Sequence, residues 1–217
     1  MSTFISRLRK QIPRDFFEDR DLRLVFSDMT ANALRLALKR AVDGHHLIQL
    51  KKGFYLWADE HRRASLSKFA VAAKLSAPSY VSFQSALSHH GLIPEAVYTV
   101  TSAYTQRKTK SFATPIGDFS FQYVPPKVFF LGVDYDQSGD SHLLMATPLK
   151  ALFDLIYVSR KAYPSLQSLE DDLRIDRAQL RLHAKSVTRE EITLLAASYS
   201  KQTTRQLSHL LLKDLVA

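Results

Sequence analysis

Residues 30–57 read TANALRLALKRAVDGHHLIQLKKGFYLW, and the spacing of their apolar and cationic positions decides how the rest of the chain is read. At about 100° per residue, Leu34, Ala37, Leu38 and Ala41 fall on one side of a helix over residues 31–42. Asn32, Arg35 and Lys39 fall on the opposite side, with Arg40 and Leu36 also turned outward. Thr30 suits the N-cap, because its hydroxyl oxygen can accept from an orphan N–H of the first turn. Asp43-Gly44 ends the helix, with the glycine suited to a left-handed position. His46–Leu50, the turn Lys51-Lys52-Gly53 and Phe54–Trp57 then read as two short strands around a basic glycine turn, a hairpin.

Upstream, Phe4–Ile12 has helical apolar spacing and is stopped by Pro13. Phe16-Phe17 is a short apolar pair suited to a single strand pairing. Glu18 or Asp19 can cap a second helix reaching about Phe26, with Leu22, Val25 and Phe26 inward, and Ser27-Asp28-Met29 is a turn. Helix, short strand, helix, turn, helix, hairpin is the order of a winged helix-turn-helix, expected over residues 1–60. Arginine and lysine can donate to guanine O6 and N7, and asparagine can pair both ways with adenine. Asn32, Arg35 and Lys39 are therefore the candidates for DNA base contact, with Thr30, Arg40, Lys51 and Lys52 as candidates for phosphate or wing contact. The plainer alternative is an ordinary solvated helix face, or a winged helix serving protein contacts.

Downstream, residues 58–65 (ADEHRRAS) are charged and lack large apolar groups, which marks a boundary. Helices are expected at Leu66–Leu75 and Phe83–His90, strands at Val97–Thr105, Phe119–Tyr123 and Val128–Val133, and a helix at Pro148–Val158. Residues 66–158 thus read as an α+β domain with a small mixed or antiparallel sheet. Residues 159–217 read as a helical C-terminal region with helices over 165–174, 188–199 and 203–215. The fold class is α+β. Between two expected strands lies Gln106-Arg107-Lys108-Thr109-Lys110, where Arg107, Lys108 and Lys110 either add phosphate contacts or form an ordinary exposed turn.

The chain has 217 residues, 46% hydrophobic and 11% aromatic, enough to bury a core in one large or two small domains. It has no cysteine, which excludes disulfides, thiolate zinc sites and a cysteine nucleophile. No signal-peptide pattern opens it, and its most apolar stretch, Leu143–Val158, is broken by Pro148, Lys150 and Asp154. A cytoplasmic location without membrane association is expected. Lysine and arginine number 30 against 21 acidic residues, a formal +9 that favours polyanionic partners. Residues 1–58 hold 11 of these cations against 6 acids, so over half the excess lies in about a quarter of the chain.

Catalysis and metal binding are weighed against this reading. Ser82, Ser85 and His89 share a helix face, but no third group orients them and no nucleophile-elbow pattern is present. Ser82 reads as a helix cap, with His89-His90 closing the helix. The adjacent pairs His45-His46 and His89-His90 point apart and do not have metal spacing. A magnesium nuclease would draw on Asp134, Asp136, Asp140 and Lys150, for which a solvated acidic loop is the simpler account. No enzyme activity, cofactor or metal is expected.

Asp21-Leu22-Arg23-Leu24-Val25-Phe26, Asn32-Ala33-Leu34-Arg35 and Lys52-Gly53-Phe54-Tyr55 resemble the N-terminal domain of the AbiEi family. The resemblance continues through residues 78–87 (PSYVSFQSAL), 90–95 (HGLIPE), Thr105–Thr109 and 146–155 (ATPLKALFDL), and covers about residues 16–158. Leu149 stands where an acidic residue is more usual, and Gln106 where an arginine is. The resemblance implies a transcriptional repressor and antitoxin of a type IV toxin–antitoxin system, binding operator repeats in double-stranded DNA upstream of its own operon. It also implies a functional link to a nucleotidyltransferase-like toxin without obligatory direct binding. A monomer or weak homo-oligomer is expected. The alternative is a protein-interaction module whose α+β domain docks a partner protein.

Overall fold

The computed structural model describes residues 3–63, 65–136 and 143–214. It is a mixed α+β structure with two sheets, and it divides into two compact units: Met1–Leu66 with Phe112–Gly117, and Ser67–Ser111 with Asp118–Ala217.

In the first unit the chain runs α1 (Thr3–Gln11), β1 (Phe16–Glu18), α2 (Asp19–Val25), α3 (Ala31–Asp43), β2 (Leu47–Lys51) and β3 (Phe54–Trp57). β3 is the central strand, paired antiparallel to β1 on one side and β2 on the other. The three helices close over the sheet around Ile5, Leu8, Phe17, Leu22, Leu34, Leu38, Tyr55 and Trp57. Fully burying a leucine or phenylalanine is worth about 1.5–3 kcal/mol, so this apolar set is what holds three short helices on a three-stranded sheet. Thr30 caps α3, its Oγ1 accepting from the Ala33 N–H at 3.2 Å. The end of α3 departs from expectation. Gly44 has φ −83° and closes the helix as an ordinary residue, while His45 takes the left-handed turn at φ 58°. Delaying the turn by one residue lets the His46 N–H reach the Ala41 carbonyl at 3.0 Å.

The second unit holds most of a six-stranded mixed sheet backed by helices, two of whose strands have residues (112–114 and Gly117) grouped in the first unit. Its elements are α4 (Lys68–Leu75), β4 (Ser79–Val81), α5 (Phe83–His89), β5 (Val100–Tyr104), β6 (Lys110–Thr114), β7 (Gly117–Tyr123), β8 (Val133–Asp136), β9 (Leu143–Ala146) and α6 (Pro148–Ser159). Then follow α7 (Leu166–Leu173), α8 (Arg177–Lys185), α9 (Arg189–Tyr199) and α10 (Gln202–Asp214). The strand order is β6-β7-β5-β4-β9-β8, with β5–β7 and β4–β9 parallel and β4–β5 and β8–β9 antiparallel. The C-terminal helices share one apolar core with the sheet: Leu180, Ile192, Tyr199, Leu207 and Leu211 pack in the same cluster as Val81, Phe83, Leu152 and Phe153.

Two expectations are corrected here. Val128–Val133 is not a strand: Pro126–Val128 form one 3-10 turn, a further turn follows, and the strand begins at Val133. Pro125-Pro126 at its start removes two backbone donors and favours the turn. The α8 helix lies outside the expected set, because its sequence RAQLRLHAK buries only Leu180 and Ala184 and so carries a faint apolar pattern. Among the described residues, no helix is long and apolar enough to cross a membrane.

α6 is buried on every side from Leu149 to Ile156, and two of those buried residues are Lys150 and Asp154, both 0% exposed. Their Nζ and Oδ1 lie 3.1 Å apart. Lys150 also donates to the Val128 carbonyl at 2.9 Å and to the Tyr199 hydroxyl oxygen at 2.6 Å. Asp154 accepts from Tyr80 at 2.9 Å, Ser82 at 2.7 Å and Tyr199 at 2.5 Å. Ser82 therefore does not cap α5 with its side chain; its Oγ serves the carboxylate instead. Burial pulls the Lys150 ammonium below its ordinary value, and Asp154 opposes that shift. Burial and the Asp154 carboxylate push both the Tyr80 and Tyr199 phenols well up, so they stay protonated and donate.

Removing one partner of a buried ion pair leaves the other charge uncompensated, at a cost of about 3–5 kcal/mol. Asp154→Asn is expected to destabilise the protein by about that amount, read as a lower urea midpoint.

His90 gives a pH signature. Its Nε2 lies 2.9 Å from the Ala146 carbonyl, which can only accept, so this nitrogen carries a proton in the neutral ring. Burial is the largest influence and, despite the Ala146 carbonyl, holds the imidazole below its ordinary 6.5. The unfolded chain then binds this proton more readily than the folded one. Its stabilising contribution is present above 6.5 and is lost as pH falls from there through the lower folded value. Urea midpoints at about pH 7.5 and 5.5 should therefore differ less in His90→Gln than in the parent protein.

Candidate nucleic-acid interface

α3 presents two faces, as its sequence periodicity requires. Leu34, Leu38 and Ala41 are buried, while Asn32, Arg35, Lys39 and Arg40 are exposed and Leu36 is 43% exposed. Arg35 donates to the Asn32 side-chain oxygen at 2.9 Å, so these two expected base contacts form one hydrogen-bonding unit on the helix surface.

Beside α3 lies a cavity of about 610 Å³, bounded by α2, α3 and the β2–β3 hairpin. Arg23, Arg35, Lys39 and Lys52 supply its cations, Asp19 and Asp43 its acids, and Gln49 and Tyr55 further polar atoms. Arg35 and Lys39 are one helical turn apart and so reach the same cleft. Asn32 and Arg40 do not line it. Arg23 is absent from the contacts expected from the sequence; its place in the last turn of α2, opposite the hairpin tip, is what brings it in.

The hairpin tip is a two-residue loop, Lys52-Gly53, with a register irregularity between Gln49 and Lys51. Gly53 has φ 74°, and a Cβ added there would meet the Asp19 carboxylate at 2.7 Å. The Gly53 carbonyl accepts from the Asp19 N–H at 3.0 Å. The tip is thus tied to the first residue of α2, and its positive φ strains any residue that carries a Cβ. Lys52 is exposed at this tip, whereas Lys51 lies over the Phe54 ring at 5.6 Å. Burial and the nearby Asp19 carboxylate push the Tyr55 phenol up, so it remains a neutral donor in the cleft.

Cations of this unit differ in their partners. Arg7 pairs with Asp28 at 2.7 Å, Arg9 with Asp15 at 3.1 Å, Arg14 with Asp21 at 2.6 Å and Arg20 with Glu18 at 3.0 Å. These stand on α1, on the segment before β1, and at the start of α2. Arg23, Arg35, Lys39, Arg40 and Lys52 make no ion pair among the described residues. Cations without an ion pair among the described residues thus stand on the last turn of α2, on α3 and at the hairpin tip, where Asp19 and Asp43 share the cleft. An anion of matching spacing would be attracted there.

The remaining expected contacts lie in the second unit. Arg107 and Lys108 are exposed, the Lys108 carbonyl accepts from the Tyr104 hydroxyl, and Lys110 donates to Gln106 at 2.7 Å. Ser82 and Ser85 are buried, Ser85 hydrogen-bonding Thr99 and Thr101, and neither hydrogen-bonds His89 among the described residues. Asp134 and Asp136 lie on β8, not in a loop, Lys150 is engaged in the core, and Asp140 lies outside the described residues. No family model matches the chain, and no curated protein matches it either.

Proposed function

We propose that the first unit is a winged helix-turn-helix and that the chain is a sequence-specific DNA-binding transcriptional repressor. In this reading α3 enters the major groove, the β2–β3 hairpin is the wing, and a phosphate strand follows the cleft between them. The observation that carries it is the placement of charge: Arg7, Arg9, Arg14 and Arg20 are paired with acids, while Arg23, Arg35, Lys39 and Lys52, which make no ion pair among the described residues, line one cleft. Arg35, Lys39 and Asn32 are the base-contacting residues, and Thr30, Arg40, Lys51 and Lys52 meet the backbone. Arg107, Lys108 and Lys110 add phosphate contacts from the second unit. The antitoxin role, with control of its own operon and opposition to a nucleotidyltransferase-like toxin, rests on the AbiEi resemblance.

A second reading, a protein-docking module, is favoured by one observation: Tyr98, Phe130 and Tyr135 in the second unit are large apolar side chains exposed at 87%, 75% and 69%. Large apolar side chains left in solvent can mark partner surfaces.

The deciding experiment is titration of the full chain against the duplex upstream of its own gene and a scrambled duplex, at two salt concentrations. Tighter, salt-sensitive binding to the upstream duplex is expected; equal or absent binding favours the docking reading. Arg35→Ala should weaken the specific site by about 1–3 kcal/mol and relax preference at one base position. Lys52→Ala should weaken binding to all duplexes alike and flatten the salt slope by about 1 unit.

A further inference from the structure

His46 and His61 lie 15 positions apart in sequence, but the hairpin brings them together. His46 immediately precedes β2, and its carbonyl accepts from the Ala58 N–H at 3.1 Å, just after β3. From Ala58 the chain makes one 3-10 turn, Asp59–His61, which folds His61 back over the open end of the hairpin. There the His46 Nδ1 and His61 Nε2 are 2.9 Å apart. The Glu60 Oε1 is 3.1 Å from the His61 nitrogen and 3.9 Å from the His46 nitrogen.

Two imidazole nitrogens and a carboxylate oxygen thus converge on one point. In the neutral state the two nitrogens can face each other only if one carries a proton for the other to accept. A divalent cation can replace that proton and satisfy all three atoms. Zinc holds histidine nitrogens and carboxylate oxygens at about 2.0–2.2 Å in a tetrahedron, which places ligand atoms about 3.3 Å apart. The three separations here, 2.9, 3.1 and 3.9 Å, bracket that edge, and a point about 2 Å from all three atoms exists. Among the described residues this is the one group of three histidine, cysteine or acidic side chains close enough to share an ion. The donors are nitrogen-rich, which favours zinc and its neighbours over magnesium or calcium. Access is open: the Glu60 side chain is 67% exposed, against 34% for His46 and 16% for His61.

We propose that His46, Glu60 and His61 form a zinc site of two nitrogens and one oxygen, with water as the fourth ligand. Through it the ion clips the two ends of the hairpin together. The proposal stands independently of the DNA reading, because it needs only the hairpin geometry.

Trp57 is the sole tryptophan, and its ring meets His61 edge-on at 5.9 Å, so its fluorescence reports on the site. Chelator-treated, tag-free full-length protein would be titrated with zinc, with magnesium as control. Expected are saturation at one zinc per chain, a fluorescence change, and a rise of at least about 2 °C in the unfolding midpoint at saturation. Cobalt(II) should give the visible absorption of a tetrahedral centre. Glu60→Gln, at an exposed position, and His61→Phe, which keeps an aromatic ring beside Trp57, should each weaken zinc binding by more than about tenfold. Zinc binding no tighter than magnesium binding would overturn the proposal. So would a zinc affinity unchanged in both variants, which would place the ion at other histidines.

Discussion

A lysine and an aspartate with no access to solvent hold the second unit together. Desolvating two charges costs several kcal/mol per ion, and attraction between them offsets this only where every remaining donor and acceptor is also satisfied. Around Lys150 and Asp154 that condition is met by groups from three further places: Tyr80 and Ser82 at the end of β4, Val128 in the 3-10 turn, and Tyr199 at the end of α9. If α6 rotated or α9 slid by one residue, a charge would lose its partners. Apolar packing alone is permissive about such shifts, whereas a buried polar network is not. The pair therefore acts as a register mark for the sheet and the C-terminal helices.

The sequence made α3 legible because its signal is local. A period of 3.6 sorts Leu34, Leu38 and Ala41 from Asn32, Arg35 and Lys39 within three turns, and burial follows that sorting. Lys52-Gly53 was legible for a similar reason, since a glycine between two short apolar runs announces a tight turn. What escaped was set at a distance. Lys150 reads as a surface cation of an amphipathic helix until residues 70 or more positions upstream and 45 or more downstream of Asp154 are folded against it. His46, Glu60 and His61 have no motif spacing, because strand pairing rather than helical repeat brings them together. The left-handed residue fell on His45 and not Gly44 because the hydrogen bond from His46 to Ala41 chose the position, against the preference of the residue types.

Charge in the first unit is arranged as well as abundant. An exposed ion pair contributes little to stability, about 0–1 kcal/mol, so Arg7–Asp28 and Arg20–Glu18 matter less for holding the fold than for what they neutralise. Ion pairs neutralise Arg7, Arg9, Arg14 and Arg20 locally, whereas Arg23, Arg35, Lys39 and Lys52 at the cleft have no such partner among the described residues. A formal excess spread evenly would attract any polyanion without orienting it. Cations gathered at one cleft favour a single approach direction.

The tie between Gly53 and Asp19 has a consequence for that cleft. The Asp19 N–H donates to the Gly53 carbonyl, so the tip of the hairpin is held to the first residue of α2 by a backbone hydrogen bond. That bond joins two walls of the cleft, the hairpin and the start of α2. A tip already held before anything binds need not be ordered at the encounter, so in the proposed DNA reading the wing would bring less backbone entropy to lose than a free loop of the same length.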